Sequence, residues 1–126
     1  MVGKLLVVDD EDLVRKVLVR SLTRLGYEAV DVADGRSALD LVAAGGADIA
    51  CVLLDLSMPD MDGYEVFRGL RELNAELPVV IMSGHPECEV TDGLAPASAS
   101  GYLGKPFMMA DVQAVMERLG LHEGLS

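Results

Sequence analysis

The segment Lys4-Leu5-Leu6-Val7-Val8-Asp9-Asp10 decides how the rest of the chain is read. Its apolar residues run on without a polar interruption, whereas a strand with one wet face would alternate. Such a strand is buried on both faces, as in a parallel sheet, and it stops at a pair of acids. Working outward, Leu13, Val14, Val17, Leu18, Ser21, Leu22 and Leu25 fall on one helical face, and Gly26 ends that helix. Glu28 to Val32 reads as a second strand. Asp34 then stands where an N-cap belongs, ahead of Ala38, Leu39, Leu41 and Val42, and Gly45-Gly46 closes that helix.

The same alternation fills the second half. Ile49 to Leu54 is a third strand ending at Asp55. Asp62 with Glu65 has the form of a capping box before the stripe Val66, Phe67, Leu70 and Leu73. Pro78 opens a fourth strand, Val79 to Met82, which ends at Ser83, and Gly101 to Leu103 is a brief fifth. Val112, Val115, Met116 and Leu119 give the last helix its apolar face. Between Pro86 and Ala99, Asp92-Gly93 and Pro96 leave room only for a short, weakly supported helix, from about Glu87 to Ala95. Five strand–helix units with parallel strands imply right-handed crossovers. The predicted fold is α/β: a doubly wound five-stranded parallel sheet in the order 2-1-3-4-5, with helices on both faces.

Composition bounds the function. The 126 residues are expected to form one domain (1–126), with a core over about 4–119 and a short tail over 120–126. That length buries enough surface to need no metal or disulfide staple. Hydrophobic residues at 51% and charged residues at 25% exclude a disordered chain. A formal net charge of −11 gives no electrostatic footprint for direct binding to nucleic acid or to an anionic membrane. Cys51 and Cys88 cannot make a disulfide framework and read as reduced thiols. No stretch approaches the roughly 20 apolar residues that span a bilayer. Met1 to Lys4 leaves no room for a signal peptide, so a cytoplasmic protein is expected.

In open α/β sheets the functional crevice lies beyond the carboxyl ends of the strands, at the topological switch point. Those ends carry Asp9-Asp10-Glu11, Asp55 and Ser83-Gly84, with Lys105 following the fifth strand. Singly, each has a bland explanation: Asp10 or Asp12 as a helix cap, Ser83 as a turn residue, Lys105 as a solvated charge. Jointly, acid, acid, hydroxyl and amine on four strand ends are hard to assign to caps. With strands 1 and 3 adjacent, Asp9, Asp10 and Asp55 converge. At about 5 Å and an effective dielectric near 20, each carboxylate pair repels by roughly 3 kcal/mol, so the site wants a cation or a proton. Hard oxygen ligands on a partly hydrated site suit Mg²⁺.

These residues also carry a family resemblance. Leu6-Val7-Val8-Asp9-Asp10-Glu11, Leu54-Asp55-Leu56-Ser57-Met58-Pro59-Asp60-Met61-Asp62-Gly63, Ile81-Met82-Ser83-Gly84 and Lys105-Pro106-Phe107 match, in order and spacing, the receiver domain of bacterial two-component response regulators. The chain resembles that family over essentially its whole length. The resemblance implies a flavodoxin-like sheet and a signalling phosphoacceptor rather than a turnover enzyme. Asp55 would accept the phosphoryl group from a phosphohistidine on a sensor histidine kinase or histidine phosphotransfer protein. Asp10, Asp55 and the backbone carbonyl of Ser57 would hold Mg²⁺, with Asp9 acting through a metal-bound water. Lys105 would pair with the phosphoryl group and Ser83 would hydrogen-bond it. Tyr102 would follow by changing rotamer, which alters the surface of the fourth helix, fifth strand and fifth helix. Gly84 would leave access to the acyl phosphate, and the Lys105–Pro106 bond would be cis. The bistable element is expected in Pro86–Ala99.

Other readings have their own signatures. A flavin-binding domain of this topology wants a hydroxyl- and glycine-rich phosphate loop after the first strand, where this chain has Asp9-Asp10-Glu11-Asp12. A Mg²⁺-dependent phosphatase could use the same carboxylates, but the chain has no cap insertion to select a substrate. A receiver kept only for docking would not need every acidic, hydroxyl and lysine position filled. Met108 and Met109, at a helix start with no Ser or Thr cap, read equally as soft partner contacts or ordinary packing. The output partner is unreadable, and homodimerisation is a habit of the family rather than a deduction from these residues.

Overall fold

The computed structural model describes residues 4–45, 49–55, 63–74, 76–83, 101–104 and 108–119. Its elements run β1 (Lys4–Val8), α1 (Asp12–Arg24), β2 (Ala29–Val32), α2 (Gly35–Gly45), β3 (Ile49–Asp55), α3 (Gly63–Leu73), β4 (Val79–Ser83), β5 (Gly101–Gly104) and α4 (Met109–Arg118). The five strands are parallel and lie in the order β2-β1-β3-β4-β5, as the sequence predicts.

The uninterrupted apolar runs are explained by what lies on each side of the sheet. Leu6 and Val8 of β1, Val52 and Leu54 of β3, and Val79 and Ile81 of β4 point to one face and pack with Ala38 and Val42 of α2 and Val66, Phe67 and Leu70 of α3. The intervening residues, Leu5, Val7, Cys51, Leu53, Val80 and Met82, point to the other face. There they meet Leu18 and Leu22 of α1 and Val112, Val115 and Met116 of α4. Each central strand thus has two dry faces, and truncating one of these side chains to Ala should cost roughly 2–5 kcal/mol.

Three helical stripes differ from the expectation; on α2, Leu41 is exposed while Ala38 and Val42 are buried. On α1, Leu18 and Leu22 are buried and Val14 packs against their cluster, whereas Leu13 is 77% and Val17 55% exposed. The helix is rotated so that the row 14, 18, 22 faces the sheet, and one position upstream the row 13, 17 turns outward. On α3, Leu73 at the last turn is exposed, while Val66, Phe67 and Leu70 are buried as expected.

The helix ends follow the residues. Gly26 has φ 96°, a backbone conformation that a side chain would strain, and this is why α1 stops there. Asp34 caps α2: its carboxylate accepts the backbone N–H of Ser37 at 2.7 Å and the Ser37 hydroxyl at 3.2 Å. Those two bonds, the backbone one first, hold the Asp34 carboxyl below its ordinary range. α4 has no Ser or Thr cap, and the acid in its first turn substitutes: Asp111 accepts the Met108 N–H at 2.8 Å. The Asp62 half of the expected capping box before α3, the short helix in 86–99, the Lys105–Pro106 bond and Cys88 lie outside the described residues.

Candidate functional site

The site grows from the carboxyl ends of β1 and β3. The register pairs Val7 with Leu53 and Val8 with Leu54, so the next residue along each strand is an aspartate, Asp9 and Asp55. Both share the parity of Leu5, Val7, Cys51 and Leu53, and therefore continue the face that packs on α1 and α4. Asp9 is 0% exposed and Asp55 1%. Asp10, on the turn into α1, is the least buried of the three. One carboxylate oxygen from each of Asp9, Asp10 and Asp55 lies within 4.8 Å of the others. The convergence expected from the strand order is present.

That donor set fits a small hard cation. Mg²⁺ binds oxygens at about 2.1 Å, so two opposed ligands stand about 4.2 Å apart. At most one pair among three oxygens is opposed and adjacent ligands stand about 3.0 Å apart, so a cluster within 4.8 Å would close around a shared ion. Three carboxylates at this spacing, two of them out of water, repel one another, and a cation between them would offset that repulsion.

The acidic turn is held in place by its backbone. The Asp9 N–H donates to the carbonyl of Val32 in β2 at 3.3 Å. The Asp9 carboxylate accepts the Glu11 N–H at 2.9 Å, so this side chain serves as a local turn former as well as a member of the cluster. Glu11, not Asp10 or Asp12, is the N-cap residue of α1, and its side chain makes no capping bond. The alternative of Asp10 or Asp12 as a plain helix cap is thereby removed.

Arg15 was given no role by the sequence. Its guanidinium donates to the Asp9 carbonyl at 2.8 Å, to Asp31 of β2 at 2.6 Å and to Asp12 at 2.5 Å. The hydrogen bond to Asp12 is the largest influence on its pKa; burial opposes it, Asp31 adds to it, and the net shift is upward. A signal did exist. A cation in the first turn of a helix opposes the macrodipole, and it is tolerated where acids surround it.

The remaining expected residues divide into two groups. Ser83 ends β4, paired with Gly104 of β5, and Asp55 pairs with Met82, so the ends of β3, β4 and β5 lie side by side. Tyr102 lies within β5 opposite Ile81. Ser57, Gly84, Lys105 and the segment 86–99 lie outside the described residues. Among the described residues no helix is long and apolar enough to cross a membrane.

Known proteins share both the sequence pattern and the fold. A family model for the response regulator receiver domain matches residues 5–117. Response regulator MprA of Mycolicibacterium vanbaalenii is 40% identical over 116 residues, which are 92% of this chain and 49% of that protein. The chain thus spans about half the length of the curated relatives it matches. Chemotaxis protein CheY4 of Vibrio cholerae has a TM-score of 0.85 and 27% identity, with 94% of this chain and 98% of that one covered. The receiver domain of a sensor histidine kinase from Pseudomonas aeruginosa, crystallised with a magnesium ion coordinated in its active site cleft, has a TM-score of 0.82 and 26% identity, covering 94% and 97%. The chain belongs to the response regulator receiver domain family of two-component signalling.

Proposed function

We propose that this chain is a phosphoacceptor that takes a phosphoryl group onto Asp55 from the phosphohistidine of a sensor histidine kinase or a histidine phosphotransfer protein. The observation that carries the reading is the carboxylate cluster, three oxygens within 4.8 Å at the ends of β1 and β3. Family membership supports it, as does the magnesium ion in the cleft of the Pseudomonas receiver. Residues 1–126 would form one receiver domain, working in the cytoplasm.

In the transfer, an Asp55 carboxylate oxygen forms a bond to phosphorus while the N–P bond of the phosphohistidine breaks. The bonding pair returns to the imidazole nitrogen, which takes up a proton. Little covalent chemistry is asked of the protein; alignment and charge neutralisation carry the step. Asp10, Asp55 and the Ser57 carbonyl would hold Mg²⁺, and Asp9 would act through a water. Bound there, the ion would offset the charge that the carboxylates and phosphoryl oxygens bring together. Burial at the end of β3 keeps the Asp55 nucleophile fixed. Lys105 would pair with the phosphoryl group as a point charge, and Ser83 would donate a hydrogen bond to one of its oxygens.

The product is a signal, not a released molecule. The phosphoryl group adds roughly −1.5 to −2 charge and three acceptors, which favour the state with Ser83 and Lys105 turned inward. Tyr102 would follow, reshaping the surface around β5 and α4 that an output partner or a second copy reads.

The test is intact-protein mass after incubation with a small phosphodonor, with and without Mg²⁺, beside Asp55→Asn. A single phosphoryl adduct that requires Mg²⁺ and is absent from the variant is expected. A folded, Mg²⁺-binding protein that forms no adduct overturns the phosphoacceptor reading.

A further inference from the structure

We propose that Arg15 is a positioning residue for the acidic pair, orienting Asp9 and Asp10 toward the metal site through the Asp9 carbonyl. The inference rests on the metal-binding reading given above.

The peptide between Asp9 and Asp10 sets the directions of both side chains. Its carbonyl points to Arg15 Nη1 at 2.8 Å, so the guanidinium restrains ψ of Asp9 and the plane from which Asp10 departs. The same residue is tied at two other points, by its N–H to Val32 at 3.3 Å and by its carboxylate to the Glu11 N–H at 2.9 Å. Of these three ties, only the carbonyl one comes from a side chain that can be exchanged without touching the cluster.

Arg15 is in turn clamped. Asp31 holds Nε at 2.6 Å and Asp12 holds Nη2 at 2.5 Å, which leaves Nη1 for the carbonyl. The Arg15 side chain is 11% exposed, while the acids that hold it, Asp31 and Asp12, are 38% and 75% exposed, so a buried guanidinium is gripped from the solvent side. One acid is on β2 and the other on α1, so the fork spans the β1–α1 junction. Glu11 makes no side-chain cap, and the arginine adds a second tie to the one the Asp9 carboxylate makes with the Glu11 N–H. Lysine has a single nitrogen at its tip and cannot present three donors in a fixed fork.

The charge of Arg15 and its geometry predict opposite effects on metal affinity. A positive charge beside a cation site weakens binding, so a purely electrostatic arginine would bind Mg²⁺ more tightly once removed. A positioning arginine does the reverse, because losing an outer-shell partner typically weakens metal affinity by about 10–100-fold.

Mg²⁺ titrations at fixed pH and ionic strength, followed by calorimetry or amide chemical shifts, should be run on wild type, Arg15→Lys and Arg15→Gln. Far-UV circular dichroism first establishes that each is folded. Both variants are expected to bind Mg²⁺ roughly 10-fold more weakly than wild type. Arg15→Lys keeps the charge and the aliphatic stem, so it carries the test alone if Arg15→Gln does not fold. An unchanged affinity in Arg15→Lys, or a tighter one in folded Arg15→Gln, overturns the proposal while leaving the phosphoacceptor reading intact. Wild type that binds no Mg²⁺ overturns the metal reading itself, and the proposal with it.

Discussion

Neutralising Asp10 should stabilise the metal-free protein while removing most of its response to Mg²⁺. The carboxylate oxygens of Asp9, Asp10 and Asp55 lie within 4.8 Å of one another. At that separation a pair of unit charges repels by about 0.9 kcal/mol in bulk water and about 3.5 kcal/mol at an effective dielectric near 20. Asp10→Asn relieves two such pairs. Asp10 is the least buried member, so water screens its share and the lower end applies. A gain of about 2 kcal/mol is expected, which for a chain of this length raises Tm by about 7 °C. The assay is thermal unfolding in chelator and then in saturating Mg²⁺ at constant ionic strength. If the cluster holds Mg²⁺, wild type should gain stability in proportion to the logarithm of the ion's concentration over Kd, and Asp10→Asn should gain much less. The two melting curves should therefore converge or cross as Mg²⁺ is added. A variant less stable than wild type in chelator would refute the idea that the acids crowd one another.

Three further predictions concern parts that sequence and structure agree on. Asp34→Ala should cost about 1 kcal/mol through loss of the α2 cap, measured by urea unfolding near neutral pH. The cap is also pH-dependent. Hydrogen bonds from Ser37 hold the Asp34 carboxyl below its ordinary range, so its contribution is complete above the unfolded value and is lost as pH falls through the folded one. Asp34→Asn keeps an acceptor at every pH, so wild type should lose stability relative to it below about pH 4; parallel acid limbs would contradict this. Burial pushes the Cys51 thiol up to about 12. Iodoacetamide should leave Cys51 unmodified in the folded protein and label it in urea, read by peptide mass mapping, because the thiolate is the reactive form. Labelling of native protein at the denatured rate would contradict its place in β3.

The fold was legible because its strongest signal is local. Uninterrupted runs such as Leu5 to Val8 and Cys51 to Leu54 can be satisfied only between two layers of helices, and the acids at their ends mark where the strands stop. The rotation of α1 was not legible. Leu13, Val14, Val17 and Leu18 fit one broad apolar stripe, and only the line of the sheet beneath decides that Val14 and Leu18 turn inward. Leu73 fits the α3 periodicity equally well, yet it is exposed while Val66, Phe67 and Leu70 are buried. The cluster was legible as a set of strand ends once the strand order was fixed. Arg15 was not, because its three partners come from positions 9, 12 and 31, and only the fold brings them together.

The placement of the cluster also bears on why transfer should depend on a cation. Asp9 and Asp55 continue the inward parity of β1 and β3, so the last step of each apolar row is a carboxylate held at the margin of the core. The sheet supplies nearly complete burial, and the turn after β1 adds Asp10. A phosphoryl group arriving at Asp55 would bring roughly −1.5 to −2 more charge into a space where each existing pair already repels by up to about 3.5 kcal/mol. On the phosphoacceptor reading, charge neutralisation would therefore be a precondition of transfer at this site, and the geometry that makes the cluster costly without a counter-charge would be what makes the signal conditional.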